Sequence, residues 1–383
     1  MLKKLFFLSL ISLSTSTLAA DLTVEELRIE KMQAAHPAVT NVFSNETKAF
    51  QLALQKAASF DAASALVTEY SHQLWQRAKK QLRNAPKLDD RPLYWTRLAS
   101  SKVIRSAQPV FEITSGQRQA LLEMLEQGSR GQHDLLYTQE THKKILLTGF
   151  DPFLLDKNIN QSNPSGIAAI ALDGQIIELN GITAEINTVI VPVRYADFDQ
   201  GLIESILAPY YALNNVDMIV TVSMGREHFD LERFPGKRRS VTAPDNLNVI
   251  AGGTETKPII SKLNDRPLPG DEFVEFSLPV KQMQQAKGPY NVIDNHQVTS
   301  LNKQTHKPNS LAELDKEIAV NGSGGGYLSN EISYRSIRLR NQLNSTIPTG
   351  HIHTPRIQQY EPEIEKQIVE QIRSMLAHSL SAL

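Results

Sequence analysis

One hydroxyl in this sequence is placed as a nucleophile would be. Ser329 follows the glycine-rich turn of NGSGGGYLSN, Asn321–Asn330, in which Gly322, Gly324, Gly325 and Gly326 allow conformations closed to other residues. The turn lies between a strand-like segment, Glu317–Val320, and a helix-like run, Asn330–Leu343. Backbone N–H groups at the start of such a helix would face an oxygen gathering negative charge, and the helix dipole favours the same charge. That is the equipment of acyl transfer. A serine ahead of a helix can equally be a simple cap. The chain contains no Cys, which removes thiol nucleophiles, redox pairs and cysteine-based zinc sites. A nucleophile must therefore be Ser, Thr, a carboxylate or activated water. His351 and His353, two apart in TGHIHTP, would share one face of a strand and could act as a base or hold a metal such as zinc. No HExxH or carboxylate cluster completes a metal site, so no metal and no cofactor are expected.

The elements that would hold these groups change character at His142. KKILLTG, Lys143–Gly149, is a continuous apolar run of the kind buried in a parallel sheet. Further strands are expected at 184–193 and 217–223, alternating with the helical stretches GIAAIAL and ADFDQGLIESILAPYYAL, then LPVKQMQQA and a last helix over 363–380. Alternation of this sort implies a three-layer α/β/α fold with a mostly parallel twisted sheet, and ligands at the carboxyl ends of its strands. The chemically suggestive residues fall at such ends: Phe150 and Phe153, Gly225 and Arg226, Ser329, and His353.

The preceding residues, 21–140, read as an α-helical accessory region. Thr23 with Glu26 makes a capping box, an amphipathic run extends from Glu46 to Arg83, Pro86 and Pro92 break it, and another helix is expected near Ser115–Glu126. Its Phe50, Tyr70, Trp75, Tyr94 and Trp95 read as packing residues. Residues 1–20 carry two lysines, an apolar run Leu5–Leu13 and small residues ending at Ala19 and Ala20, the layout of a secretory signal peptide. The expected division is thus signal peptide 1–20, helical region 21–140 and α/β domain 141–383. A net charge of -1 over 383 residues gives no overall field for nucleic acid or an anionic membrane.

Several short motifs occur in a fixed order: GFDPF (Gly149–Phe153), NPS (Asn163–Ser165), VP (Val191–Pro192), GR with ER (Gly225–Arg226, Glu232–Arg233), PDN (Pro244–Asn246), LPVK (Leu278–Lys281), the glycine-rich turn ending in SN, and GxIHxP (Gly350–Pro355). In that order, over residues 143–380, the chain resembles pyroglutamyl peptidase I, the pyrrolidone-carboxylate peptidases. The resemblance implies an α/β fold and a Cys-His-Glu triad that removes an N-terminal pyroglutamyl residue. Matching motif to motif, the Glu falls on Glu232, the His on His353, and the nucleophile on Ser329, where the family has Cys. Phe150 and Phe153 correspond to the aromatic residues that hold the pyroglutamyl ring, Tyr327 and Leu328 precede the nucleophile, and Gly225 and Arg226 remain from a longer glycine-rich stretch. The chain departs from the pattern at Thr242, at Glu331, and in a polar insertion between Ala286 and Leu314.

A serine can serve in the same geometry, although its hydroxyl depends on general-base help where a thiol ionises readily. The expected activity is that of a pyroglutamyl-peptidase-like hydrolase, an omega-peptidase with Ser at the nucleophile position, periplasmic or secreted. It would act on peptides bearing N-terminal pyroglutamate, with no nucleic-acid partner and no membrane attachment after signal cleavage. Two alternatives stand beside it: a catalytically inactive relative that binds a peptide or partner, and an amidohydrolase of altered specificity. A working serine triad predicts that Ser329→Ala abolishes labelling by an active-site serine reagent; labelling that survives the change excludes Ser329 as nucleophile.

Overall fold

The computed structural model describes residues 22–138 and 142–383. The signal segment expected at 1–20 and the boundary expected at 140 lie outside these residues. Four short helices, Val24–Leu27, Ile29–Ala35, Pro37–Thr40 and Ser44–Gln55, lead into three longer ones: α1 (Phe60–Asn84), α2 (Arg91–Ser106) and α3 (Ser115–Ser129). The expected capping box of Thr23 and Glu26 forms. The run read as one helix over 46–83 is two, because Ser59 is extended and its side chain accepts from the Ala62 N–H, starting α1 afresh. Ahead of Pro86, Ala85 is extended and ends α1. Pro92 sits in the first turn of α2, where its missing N–H is not needed.

The remaining chain forms β1 (Lys143–Phe150), α4 (Pro164–Leu172), β2 (Gln175–Leu179), β3 (Ile182–Val191), α5 (Leu202–Leu213), β4 (Met218–Met224), β5 (Phe229–Glu232), β6 (Val292–Asn295), α6 (Leu328–Gln342), β7 (Thr349–Thr354) and α7 (Pro362–Ser379). The seven strands make one sheet in the order β6-β5-β7-β4-β1-β3-β2. Strands β3, β1, β4 and β7 run parallel, β2 is antiparallel to β3, and β5 with β6 runs antiparallel to β7. Side chains alternate across the sheet. Ile145 and Leu147 face α4 and α7, while Leu146 and Ile219 face α5 and α6. This is the expected three-layer α/β/α arrangement preceded by a helical region.

Two expectations are corrected. The strand before the glycine turn, Ala319–Asn321, is not in the central sheet. The polar insertion supplies nearer partners, Val298–Ser300 and Gln304–His306, and the three make a small sheet of their own. In LPVKQMQQA only Val280–Met283 is helical.

The helical region does not have a separate interior. Val67, Leu74, Trp75 and Leu121 belong to the same buried cluster as Ile145 and Ile186 of the sheet and Ile170 of α4. The Trp75 indole is fully buried and its N–H donates to Asp173 Oδ2, 3.3 Å away, just past α4. Replacing Trp75 with Ala is expected to cost about 3–5 kcal/mol. Denaturant unfolding followed by circular dichroism should show one transition for the whole chain, shifted as a unit in Trp75→Ala.

A second junction is acidic. In the first turn of α7, Glu365 is fully buried and accepts from the Ser162 hydroxyl, while Asp90, just before α2, accepts from the Asn163 N–H at 3.1 Å. Burial pushes Glu365 up from its usual 4.5 to about 8, although Ser162 pulls the other way. The folded state therefore holds this proton more tightly than the unfolded chain does. Its contribution to stability is complete below pH 4.5 and is lost as pH rises through about 8. Melting temperatures across pH 4–9 should show the parent losing several degrees against Glu365→Gln on the alkaline side, with the two converging in acid.

Candidate active site

Strand pairing brings Glu232 and His353 together. Where β7 runs antiparallel to β5, His353 stands opposite Asp230, so Glu232 is its diagonal neighbour on the same face. His353 Nδ1 and Glu232 Oε1 lie 2.5 Å apart. The other carboxylate oxygen, Oε2, accepts from Asn295 Nδ2 at 2.8 Å, and that amide also donates to the Ser323 carbonyl at 2.9 Å. Glu232 is entirely buried, which raises it above the usual carboxylate range, and the facing His353 draws it back. Asn295, the last residue of β6, was not foreseen. Nothing in the sequence distinguishes it from any other Asn at a strand end.

Ser329 is the second residue of α6 and does not cap it, since Tyr327 is the N-cap and has no side-chain capping bond. Its Oγ donates to the Gly324 carbonyl at 3.3 Å. Ser329 and His353 line one cleft together with Gly225, Arg226 and the glycine turn. The cleft thus gathers the predicted nucleophile and base, while the hydroxyl and imidazole are not bonded to each other. The start of α6 is pinned by Asn330, whose Oδ1 accepts from the Gly236 N–H at 2.9 Å and whose Nδ2 donates to the Gly236 carbonyl at 2.7 Å. A Cβ on Gly322 would stand 2.1 Å from both Asn330 Oδ1 and the Gly236 nitrogen, so this close approach requires glycine. Gly225 is required likewise, because a Cβ there would lie 2.5 Å from that of His353. Arg226 sits at the cleft rim, its half-exposed guanidinium 3.1 Å from Asp230.

On the other side of Ser329 is a small apolar cavity lined by Phe150, Phe153, Tyr327 and Leu328. The Phe153 and Tyr327 rings stack with centroids 6.5 Å apart, and the Tyr327 hydroxyl donates to the Pro244 carbonyl at 2.8 Å. Phe150 and Leu328 are almost wholly buried, and Phe150 stacks on Phe198, so both belong to the core as much as to the cavity. The NPS motif ties α4 to the end of β1. Asn163 caps α4 and donates to the Asp151 carbonyl at 2.9 Å, and the Ser165 hydroxyl accepts from the Phe150 N–H at 3.1 Å.

His351 has both ring nitrogens engaged, Nδ1 with Thr221 Oγ1 at 2.8 Å and Nε2 with Ser223 Oγ at 2.7 Å. Burial, aided by His353 nearby, pushes its pKa well below the usual value and keeps it neutral. Its ring meets that of His353 edge-on, 4.9 Å between centroids. Glu331 is buried against Arg239 and Arg335, which pull its carboxyl below the usual range despite its burial.

Residues 12–126 match the PA0049 N-terminal domain, and residues 144–270 with 290–358 match the PA0049, C-terminal domain. The chain belongs to the PA0049 family. A relative, the uncharacterized protein PA0049 of Pseudomonas aeruginosa strain PAO1, is 28% identical over 394 residues, covering 79% of this chain and 71% of that one. Among solved structures, a variant of pyrrolidone carboxyl peptidase from Pyrococcus furiosus is similar over 63% of this chain and 99% of its own, at 21% identity and a TM-score of 0.43. A further structure of that peptidase, described together with its cys-free mutant, covers 62% and 99% at 21% identity and a TM-score of 0.41. In this PA0049 family member, Ser329, His353 and Glu232 fall within the residues matched to the C-terminal domain, and so does Asn295.

The Glu232 environment yields a direct test. Asn295→Ala leaves a buried carboxylate oxygen without its donor, an effect of about 1–3 kcal/mol. The rate at which a fluorophosphonate labels Ser329, followed by mass spectrometry, should fall roughly tenfold or more in Asn295→Ala, and roughly 10²–10⁴-fold in Glu232→Gln.

Proposed function

We propose that this protein is an exported hydrolase that removes an N-terminal pyroglutamyl or closely related residue from peptides through Ser329, His353 and Glu232. The observation that carries the reading is the His353–Glu232 pair, opening on a cleft that also holds Ser329 at a helix N-terminus beside an apolar cavity. The motif resemblance supplies the substrate class. A flat uncharged lactam suits a cavity walled by Phe153 and Tyr327.

In this mechanism the Ser329 Oγ turns from the Gly324 carbonyl and attacks the acyl carbon, while His353 Nε2 takes its proton. Glu232 steadies the imidazolium through Nδ1. Amide N–H groups in the first turn of α6, which have no partner within the helix, stabilise the oxyanion. The amide bond breaks as His353 returns the proton to the leaving amine. Water then attacks the acyl-enzyme with the same base, releasing pyroglutamate and restoring the serine. His353 lines the cleft and not the apolar cavity, so the leaving peptide exits through the cleft and the acyl group occupies the cavity. Export is supported by the layout of residues 1–20.

One observation favours a second reading, a relative that binds without turnover: the Ser329 hydroxyl is bonded to Gly324 and not to His353. Hydrolysis of a pyroglutamyl-coumarin amide by the mature protein, Ser329→Ala and Ser329→Cys decides between them. Release by the parent that disappears in the alanine variant is the expected result. A silent parent with an active cysteine variant would exclude pyroglutamyl hydrolysis by the natural protein, leaving a binder or a hydrolase of another substrate.

A further inference from the structure

The apolar cavity is walled by a loop that leaves β1 at Phe150 and carries Phe153, and the helical region grips that loop from end to end. Asp151 is buried and receives two guanidinium groups. Arg97 of α2 donates to both its oxygens at 2.9 and 3.1 Å, and Arg130, which caps α3, donates to Oδ2 at 2.7 Å. Farther along, Arg28 donates to both oxygens of Asp156 at 2.7 Å, to the Asn246 carbonyl at 2.5 Å and to Asn248 Oδ1 at 3.0 Å. Asn246 in turn donates to the Pro152 carbonyl at 2.9 Å, one residue before Phe153. Between the two acidic anchors, Leu154 takes a left-handed backbone, φ 60°, and Leu155 is buried among Met32, Tyr94, Trp95 and Leu98 of the helical region.

Buried ion pairs are weak devices for stability, because apolar side chains of similar volume often do as well. What paired guanidinium forks provide is fixed geometry. Here their targets are loops beside one cavity rather than the sheet beneath it. The left-handed Leu154 is consistent with this, since a leucine holds that conformation only where its surroundings impose it.

We propose that the helical region is a brace for the acyl pocket, in which Arg28, Arg97 and Arg130 are positioning residues that act through Asp151 and Asp156 on Phe153. The proposal rests on the reading that the apolar cavity receives the acyl group. It gives residues 22–138 a role in substrate recognition, with their chemistry directed at the loops and never at the substrate itself.

Arg28 is the position to test, because its partner Asp156 is half exposed. In full-length protein, Arg28→Met and Arg28→Lys are compared with the parent for hydrolysis of a pyroglutamyl-coumarin amide and for amide hydrogen exchange. Arg28→Met is expected to raise KM at least fivefold with kcat within twofold, and Arg28→Lys to fall between. Exchange in residues 152–158 should quicken at least tenfold while that in 328–339 stays as in the parent. Unchanged KM and unchanged exchange overturn the brace, and so does a fall in kcat at constant KM or an equal rise in exchange at 328–339. A parent that hydrolyses nothing sinks the proposed reaction alone; the exchange pattern then still decides the brace.

Discussion

A carboxylate with no exposure to water is the constraint around which the site is built. Glu232 can lie at the end of β5 only because each of its oxygens has a donor, His353 on one and Asn295 on the other. Those donors arrive from neighbouring strands on either side, β7 and β6. The reversal of direction between β7 and β5 makes Glu232 the diagonal neighbour of His353. The next residues after β5 run to Gly236, where Asn330 fastens the start of α6 and with it Ser329. Glu232, His353 and Ser329 are therefore held by one short stretch of chain, 232–236, and by what it touches.

The parallel centre of the sheet, β1, β3, β4 and β7, was legible because its strands are apolar runs separated by helices with their own periodicity, whereas β2, β5 and β6 were not read as strands. Motif order singled out Ser329, His353 and Glu232; the first two line one cleft and the third lies behind His353. Less could be read where partners are chosen by proximity. The strand before the glycine turn joined a small sheet built from the insertion, since Val298–Ser300 was nearer than the central strands. Asn295 and Asn330 hold the site in place, yet a lone Asn at a strand end or in a helix turn carries no signal in one sequence.

The helical region shows the same limit for charge. Nothing in the sequence marks Arg28, Arg97 or Arg130 for burial, since arginine is mostly exposed. Only the fold reveals that all three are buried and turned toward one loop. Its apolar residues were correctly read as packing residues, but what they pack against, α4 and the sheet, lies far along the chain.

That distance shapes how the molecule must be made. Helix α3 packs on α1, but the part of the α1 apolar face that meets α4 stays open until roughly 40 further residues beyond α3 have emerged, a delay of roughly 2–9 s at ordinary rates of synthesis. The sheet that completes the shared core waits longer still, because β7, its third strand in spatial order, is among the last parts of the chain to be translated. A nascent chain with greasy helices in search of distant strands is slow to fold and prone to wrong partners on the way.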